Sequence, residues 1–378
     1  MNTAELFEQF HKIASNPRAQ KDAYLKDGQK VVLVTYYVPE QLIHAMGAIP
    51  FHTYGGDLPV NEAKQYFPAF ICSVMQTMLE LGMRGTFEGC SAIVIPSLCD
   101  SLKCIGQNWK YAVPSIPFIP LTYPQNRKPD YGAAFTRAGY ERMVRELEEA
   151  TGLQLDETRL KESIRLYNEH NALMREFSAL CAEYPQVTAT QRSDVYKSAG
   201  FMKKEEHAQL LRELIACMKQ EVAGKSSGKR IYISGILADA PEWNHILEDY
   251  GLQVVGDDIL ACSRLYRDDC RMPENGEDAM DALVRLYCDK DHCSLLYDEK
   301  KSRVEFIVQE AKQRKADGVI LTLTKFCDPE EFDNPMIKDA CAEAGLPCVV
   351  IEMDRQMQNY EQARTIMETF ADMIDSRK

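Results

Sequence analysis

Twice in this chain an apolar run that reads as a buried strand ends in Cys-Asp and then opens a helix: IVIPSLCDS at 93–101 and ILTLTKFCDPE at 320–330. Strands that are apolar throughout are buried on both faces, pair in parallel, and need helices to cover the sheet. One such device in each half of the chain predicts a duplicated architecture.

The rest of the chain follows the same grammar. VVLVTYY at 31–37 reads as a strand, and Pro39 suits the first turn of a helix with Leu42, Ile43 and Met46 on one face. A helix is expected around 69–83, a strand over 91–96, a helix starting near residue 100 and an extended stretch at 115–122. From 132 to 223 the pattern turns long, polar and helical, with Leu160, Ile164, Leu166, Leu173 and Phe177 at three and four spacings. GKSSGKR at 224–230 reads as a linker. A second unit then begins, with strands expected at 231–236, 252–255, 318–324 and 347–353 and helices opening near Pro241, over 300–315, over 334–344 and at the end.

At 378 residues the chain exceeds one comfortable hydrophobic core. The expected fold is α/β: two flavodoxin-like or Rossmann-like parallel-sheet units, related by an internal pseudo-repeat and joined by a helical subdomain. The boundaries expected are 1–150 for the first unit, 151–226 for the helical subdomain and 227–378 for the second unit.

Lysine plus arginine number 44 against 57 aspartate plus glutamate, a formal charge of −13 that disfavours nucleic acid and anionic membrane as partners. The longest apolar stretches, VVLVTYYV and AIVI, are too short to cross a bilayer, and MNTAELFEQFHK lacks the apolar centre of a signal peptide. The expectation is a cytoplasmic protein whose partners are proteins or small molecules, and whose thirteen cysteines are reduced thiols.

In open α/β sheets ligands gather beyond the carboxyl ends of strands, and Cys99 and Cys327 fall there. A helix N-terminus favours a thiolate, through its dipole and its unpaired N–H groups, as a metal ligand or a nucleophile. Cys72 in FPAFICSVMQ, in the first turns of a helix, is the third candidate. The plainer reading stays open: aspartate is a favoured N-cap, so Cys-Asp is also what a small residue before a helix cap looks like, and Cys72 alone fits a core.

Cys104 follows Cys99 by five positions, which on a helix diverge by more than a quarter turn, so it reads as a helix-face thiol. Cys90, Cys181, Cys217, Cys262, Cys270, Cys288, Cys293, Cys341 and Cys348 have no strand-end context and read as buried or surface free thiols. No tight Cys-x2-Cys or His-x3-His pair marks a structural zinc site, so distant cysteines point to a site assembled by folding. GxGxxG, the P-loop pattern and GxSxG are absent, and TYGGDLP at 53–59 reads as a turn.

Several stretches together resemble the 2-hydroxyacyl-CoA dehydratase family, which includes benzoyl-CoA reductase subunits, and in particular its smaller β-type subunits. They are YYVPEQLIHAMGAIP, AKQYFPAFICSVMQ, IPSLCDSLKCIGQNWK, LYNEH with GFMKKEEH, ISGILAD, KFCDPEEFDNP and EQARTIMETFADM, and they span nearly the whole chain. The resemblance implies an oxygen-sensitive heterodimer from anaerobic amino-acid fermentation, in which each subunit holds one 4Fe–4S cluster by three cysteines. Matched by position these are Cys72, Cys99 and Cys327, with one iron left without a protein ligand.

The implied reaction is syn elimination of water from an (R)-2-hydroxyacyl-CoA to the (E)-2-enoyl-CoA through a ketyl radical. A separate ATP-dependent iron–sulfur activator supplies the single low-potential electron. The homologous α subunit binds the thioester, and the β subunit relays the electron. Asp100 and Asp328 are expected to cap the helices behind the ligands and to place negative charge near the cluster. Gln107, Asn108 and Trp109 either line the path between clusters or pack. Flavin accompanies some family members, and no flavin motif is visible here.

Three other readings stay open at the level of sequence. One is a related ATP-driven iron–sulfur reductase component of the benzoyl-CoA reductase or double-cubane type. Another is a non-catalytic structural or regulatory subunit with its cysteines in the core. The last is a two-domain sugar- or ion-binding module, suggested by fold alone.

Overall fold

The computed structural model describes residues 1–224, 228–274 and 276–377. The chain opens on two helices, α1 (Thr3–Ser15), capped reciprocally by Asn2 and Glu5, and α2 (Pro17–Lys26), which starts on a proline whose missing N–H would have had no helical partner. The apolar run at 31–37 is a strand only over β1 (Val31–Val34), because Tyr37 turns into the left-handed region at φ 57°. Next come α3 (Glu40–Met46), closed by Gly47 at φ 93°, and β2 (Ile49–His52), a strand that the sequence pattern does not announce. The first unit then adds α4 (Ser73–Met83), β3 (Ala92–Pro96), α5 (Asp100–Ala112) and β4 (Phe118–Leu121).

Four helices fill the expected helical stretch: α6 (Asp130–Thr151), α7 (Glu157–Glu183), α8 (Ala189–Ser198) and α9 (Lys204–Met218). Of the linker expected at 224–230, positions 225–227 lie outside the described residues. The second unit runs β5 (Lys229–Gly235), α10 (Pro241–Asp249), β6 (Leu252–Ile259), α11 (Ala279–Cys288) and α12 (Arg303–Gln313). It ends with β7 (Gly318–Thr324), α13 (Asp328–Glu343), β8 (Cys348–Met353) and α14 (Glu361–Asp375).

Each unit carries one four-stranded sheet, every neighbouring pair parallel, in the orders β2-β1-β3-β4 and β6-β5-β7-β8. Both orders are the same doubly wound pattern, so the pseudo-repeat extends from a shared motif to a shared topology. In each sheet the chain reverses its direction of winding between the first and third strand, β1 and β3 in one, β5 and β7 in the other. Gly235, at the carboxyl end of β5, lets that strand lie close on β7: an added Cβ would sit 2.5 Å from the Thr322 carbonyl oxygen.

One hydrophobic core runs through both units, from Leu6 to Ile374, and α7 packs on both α3 and β6. Among the described residues no helix is long and apolar enough to cross a membrane.

Candidate functional site

Cys72, Cys99 and Cys327 line one cavity of about 430 Å³. Cys99 lies just past β3 and Cys327 just past β7, while Cys72 ends the long connection from β2 to α4. Tyr36, beyond β1, and Ile236, beyond β5, line the same space. The two winding reversals therefore face each other across a single cavity, which is where this fold class collects ligands.

Each of the three cysteines is itself the N-cap of its helix, α4, α5 or α13. This corrects the expectation that Asp100 and Asp328 are the caps: both are the first residues inside their helices. Asp100 points to solvent, 90% exposed, and pairs with Lys103 at 3.1 Å. It also moves Cys72 from inside a first turn to the residue before it. None of the three thiols makes a side-chain cap hydrogen bond, but first-turn backbone N–H groups lie near enough to favour their thiolates: Val74 and Met75 at Cys72, Ser101 and Leu102 at Cys99, Glu330 at Cys327.

Burial dominates the titration of all three. It pushes Cys72 up to about 12, raises Cys99, and holds Cys327 well above its ordinary value. Proximity adds to this, since Cys99 raises Cys72 and both raise Cys327. The backbone N–H groups work in the opposite direction. Lys103 and Lys301 line the cavity together with Asp100, Asp298 and Asp328, so what suits an anionic occupant here is the three helix N-termini and not a surplus of positive side chains. Among the described residues no group of His, Cys, Asp and Glu is close enough to share a single metal ion. The three thiols are donors spread around a cavity, a set that fits a polynuclear group with a ligand to each of several metals better than one tetrahedral ion.

The walls are held from behind by buried charge. In α13, Glu330 accepts from Ser294 Oγ at 2.6 Å and from Arg303 Nη2 at 2.9 Å. Arg303 also donates to Asp258 at 2.9 Å and Asp333 at 3.1 Å, which ties α13 and Cys327 to β6. Arg355, just past β8, pairs at 2.9 Å with both Asp57 and Asp239, joining the two units, and its backbone N–H donates to Ser73 Oγ beside Cys72. Phe326, the residue before Cys327, sits at φ 61° in the left-handed region, an uncommon conformation for a bulky side chain.

The other cysteines lie elsewhere. Cys104 is exposed on α5 and outside the cavity, as a helix-face thiol should be. Cys90, Cys181, Cys262, Cys270, Cys288, Cys293 and Cys341 are buried free thiols, and Cys217 and Cys348 are half-buried ones. Gln107, Asn108 and Trp109 are not cavity residues: Trp109 is buried with its indole N–H on the Ile116 carbonyl, and Asn108 donates to the Tyr66 carbonyl.

LYNEH and GFMKKEEH do not reach the cavity either. Their side chains meet those of YYVPEQ: Glu40 accepts from Tyr167 at 3.1 Å and pairs with Lys204 at 3.5 Å, with His52 at 2.6 Å on its other oxygen. The pattern missed Tyr36, Ser294 and Lys301 as cavity residues, because nothing local distinguishes them.

Comparison with known proteins gives the chain its family. A family model described as 2-hydroxyglutaryl-CoA dehydratase, D-component, matches residues 35–374. The (R)-phenyllactyl-CoA dehydratase beta subunit of Clostridium sporogenes is 41% identical over 376 residues, covering 99% of this chain and 100% of that one. The lactoyl-CoA dehydratase subunit beta of Anaerotignum propionicum is 35% identical over 98% of each chain. A benzoyl-CoA reductase subunit of Thauera aromatica is 26% identical over 91% of this chain and 90% of its own. The chain belongs to the 2-hydroxyglutaryl-CoA dehydratase D-component family, as a β-type subunit of the 2-hydroxyacyl-CoA dehydratases.

Proposed function

We propose that this chain is the electron-relaying β subunit of an iron–sulfur (R)-2-hydroxyacyl-CoA dehydratase, with Cys72, Cys99 and Cys327 as the ligands of a 4Fe–4S cluster. The observation that carries the proposal is that these three cysteines, from two separate sheets, cap three helices around one cavity. When bound, the cluster supplies one-electron transfer at low potential and an iron without a protein ligand. The chain's own residues bind it through three thiolates, favour its negative charge with three helix N-termini, and shield it from water with the buried Leu98 and Leu295.

In this reading the electron comes from an ATP-dependent iron–sulfur activator and passes to a homologous α subunit. The α subunit holds the 2-hydroxyacyl-CoA whose water is eliminated. The relatives' names support that division: β subunits of one family serve dehydratases named for phenyllactyl-CoA, lactoyl-CoA and 2-hydroxyglutaryl-CoA, as expected when the partner chooses the acyl group. The setting is the cytoplasm, where thiols stay reduced. A second reading, an aromatic-ring reductase component, is favoured only by the more distant likeness to the Thauera benzoyl-CoA reductase.

The test is to purify the chain without oxygen together with its α subunit and measure iron, sulfide and turnover after activator and ATP are added. The expected result is about four iron atoms on this chain and dehydration of an (R)-2-hydroxyacyl-CoA, with turnover lost in Cys99→Ser and in Cys327→Ser. An iron-free chain in a fully active complex would overturn the proposal. Reduction of the ring of an aromatic acyl-CoA, with no dehydration of any 2-hydroxyacyl-CoA, would select the second reading.

A further inference from the structure

Tyr36 stands just past β1, at the winding reversal of the first sheet, and lines the cavity together with Cys72, Cys99 and Cys327. It is 2% exposed, and its hydroxyl is buried without a hydrogen-bond partner. Among the described residues it is the only side chain of this cavity with an unpaired buried polar atom. Cys72 and Cys327 line the same cavity and are close enough to act on its hydroxyl electrostatically, as are Arg355 and Asp239 outside it.

The ring is not free to turn the hydroxyl elsewhere. It stacks on Tyr54 with centroids 4.4 Å apart and planes 5° from parallel. Tyr54 differs in one respect: its own hydroxyl bonds His52 Nδ1 at 2.7 Å. A phenylalanine at 36 would fill the same space and keep the same stack without burying an unsatisfied hydroxyl, so packing alone gives no reason for the oxygen.

We infer that the Tyr36 hydroxyl donates a hydrogen bond to the anionic group held by Cys72, Cys99 and Cys327, and thereby raises that group's reduction potential. The inference rests on the cluster reading above and adds a named donor to it. A hydrogen bond to a cluster sulfur or to a ligand on the open iron stabilises the reduced state more than the oxidised one, because the reduced state carries the extra negative charge. Tyr36 is therefore one of the groups that make the chain's electron affinity what it is, although it ligates nothing.

The experiment compares the wild-type complex, prepared without oxygen, with Tyr36→Phe, with Tyr54→Phe, and with a fluorotyrosine placed at position 36. Iron and sulfide content, the reduction potential, and the exchangeable-proton couplings of the reduced cluster after transfer to deuterium oxide are read for each. Tyr36→Phe is expected to keep its iron, shift to lower potential and lose one exchangeable-proton coupling. Fluorotyrosine, a stronger donor of nearly the same shape, shifts the potential upward, and Tyr54→Phe leaves it unchanged.

If Tyr36→Phe fails to hold iron, the fluorotyrosine protein decides alone: an upward shift supports the donor and no shift removes it. Unchanged potential and couplings in an iron-replete Tyr36→Phe protein overturn this inference while the cluster reading stands. An iron-free wild-type chain overturns the cluster reading itself.

Discussion

His170 Nε2 lies 2.9 Å from His207 Nδ1, and both rings are wholly buried where α7 meets α9. His207 Nε2 donates to the Val195 carbonyl at 3.0 Å, which leaves its Nδ1 as the acceptor and makes His170 the donor. His170 Nδ1 then faces the core with no partner, so neither ring can take a second proton without burying an unpaired charge. Burial holds His207 down to about 3 and His170 well below its ordinary value.

The first prediction follows from that pair. Above the unfolded histidine value of about 6.5 both states are neutral and the pair adds no pH dependence. As pH falls from there toward about 3, only the unfolded chain gains protons, and stability drops by up to about 1.4 kcal/mol per pH unit for each ring. Urea melts at pH 7 and pH 5 check this, and His170→Leu should roughly halve the slope. A flat profile would show that the folded core accepts the proton.

Ligand and bystander cysteines should separate cleanly. Alanine at 72, 99 or 327 is expected to strip iron from the oxygen-free chain and bleach its visible absorption, whereas Cys104→Ala retains both, since Cys104 is exposed and outside the cavity. Equal iron in Cys104→Ala and Cys99→Ala would refute the assignment.

Arg355 joins the two units through Asp57 and Asp239 and holds the buried Asp239 carboxyl down to about 2. Because that value lies below the unfolded one, the stabilisation is complete above pH 4 or so and disappears as pH falls through about 2. Arg355→Met should cost up to about 3–5 kcal/mol at neutral pH by leaving the buried Asp239 with only its longer contact to Lys197, at 3.5 Å. Denaturant titration measures the loss, and a cost under about 1 kcal/mol, typical of an exposed pair, would refute it.

Arg303 serves three carboxylates at once, Asp258, Glu330 and Asp333. Arg303→Lys is predicted to behave almost as badly as Arg303→Met, because a single ammonium cannot reproduce the planar fork that reaches all three. Unfolding free energy and iron retention should fall together in both variants; full rescue by lysine would count against a positioning role for the fork.

Gly235→Ala should destabilise the second unit by about 1–3 kcal/mol, the usual cost of forcing atoms into a packed site. The new methyl group meets a Thr322 main-chain oxygen at 2.5 Å, and neither strand can yield without parting β5 from β7. Thermal melting reads the effect.

The sheets were legible where their strands are apolar and flanked by turns, and β7 matches its expected bounds of 318–324. β2 was not legible because it is a four-residue edge strand with Pro50 inside it, and edge strands tolerate the proline that argues against a strand elsewhere. β6 runs twice as far as LQVV because Asp257 and Asp258 continue it into the core. Their charges are matched by Arg192 and by Arg264, Arg267 and Arg303, partners that a local pattern cannot foresee.

The same limit governs the site. Cys99 and Cys327 announce themselves by standing at strand ends before helices, a local signal. Tyr36, Ser294 and Lys301 become neighbours of those cysteines only through the tertiary fold. Asp100 was misplaced as a cap because the sequence contains a residue type that prefers the position, whereas the backbone puts the cysteine there, at φ −141° and ψ 172°.

The walls of the cavity also carry a schedule. Cys72 and Cys99 leave the ribosome 255 and 228 residues before Cys327 does, an interval of roughly 10–50 s at ordinary rates of synthesis. For that time the nascent chain displays two thiols of a three-sided receptacle and nothing to close it. Whatever the cell loads there can be held on all three sides only once Cys327 has emerged, and any oxidant present in the interval finds the first two sides open.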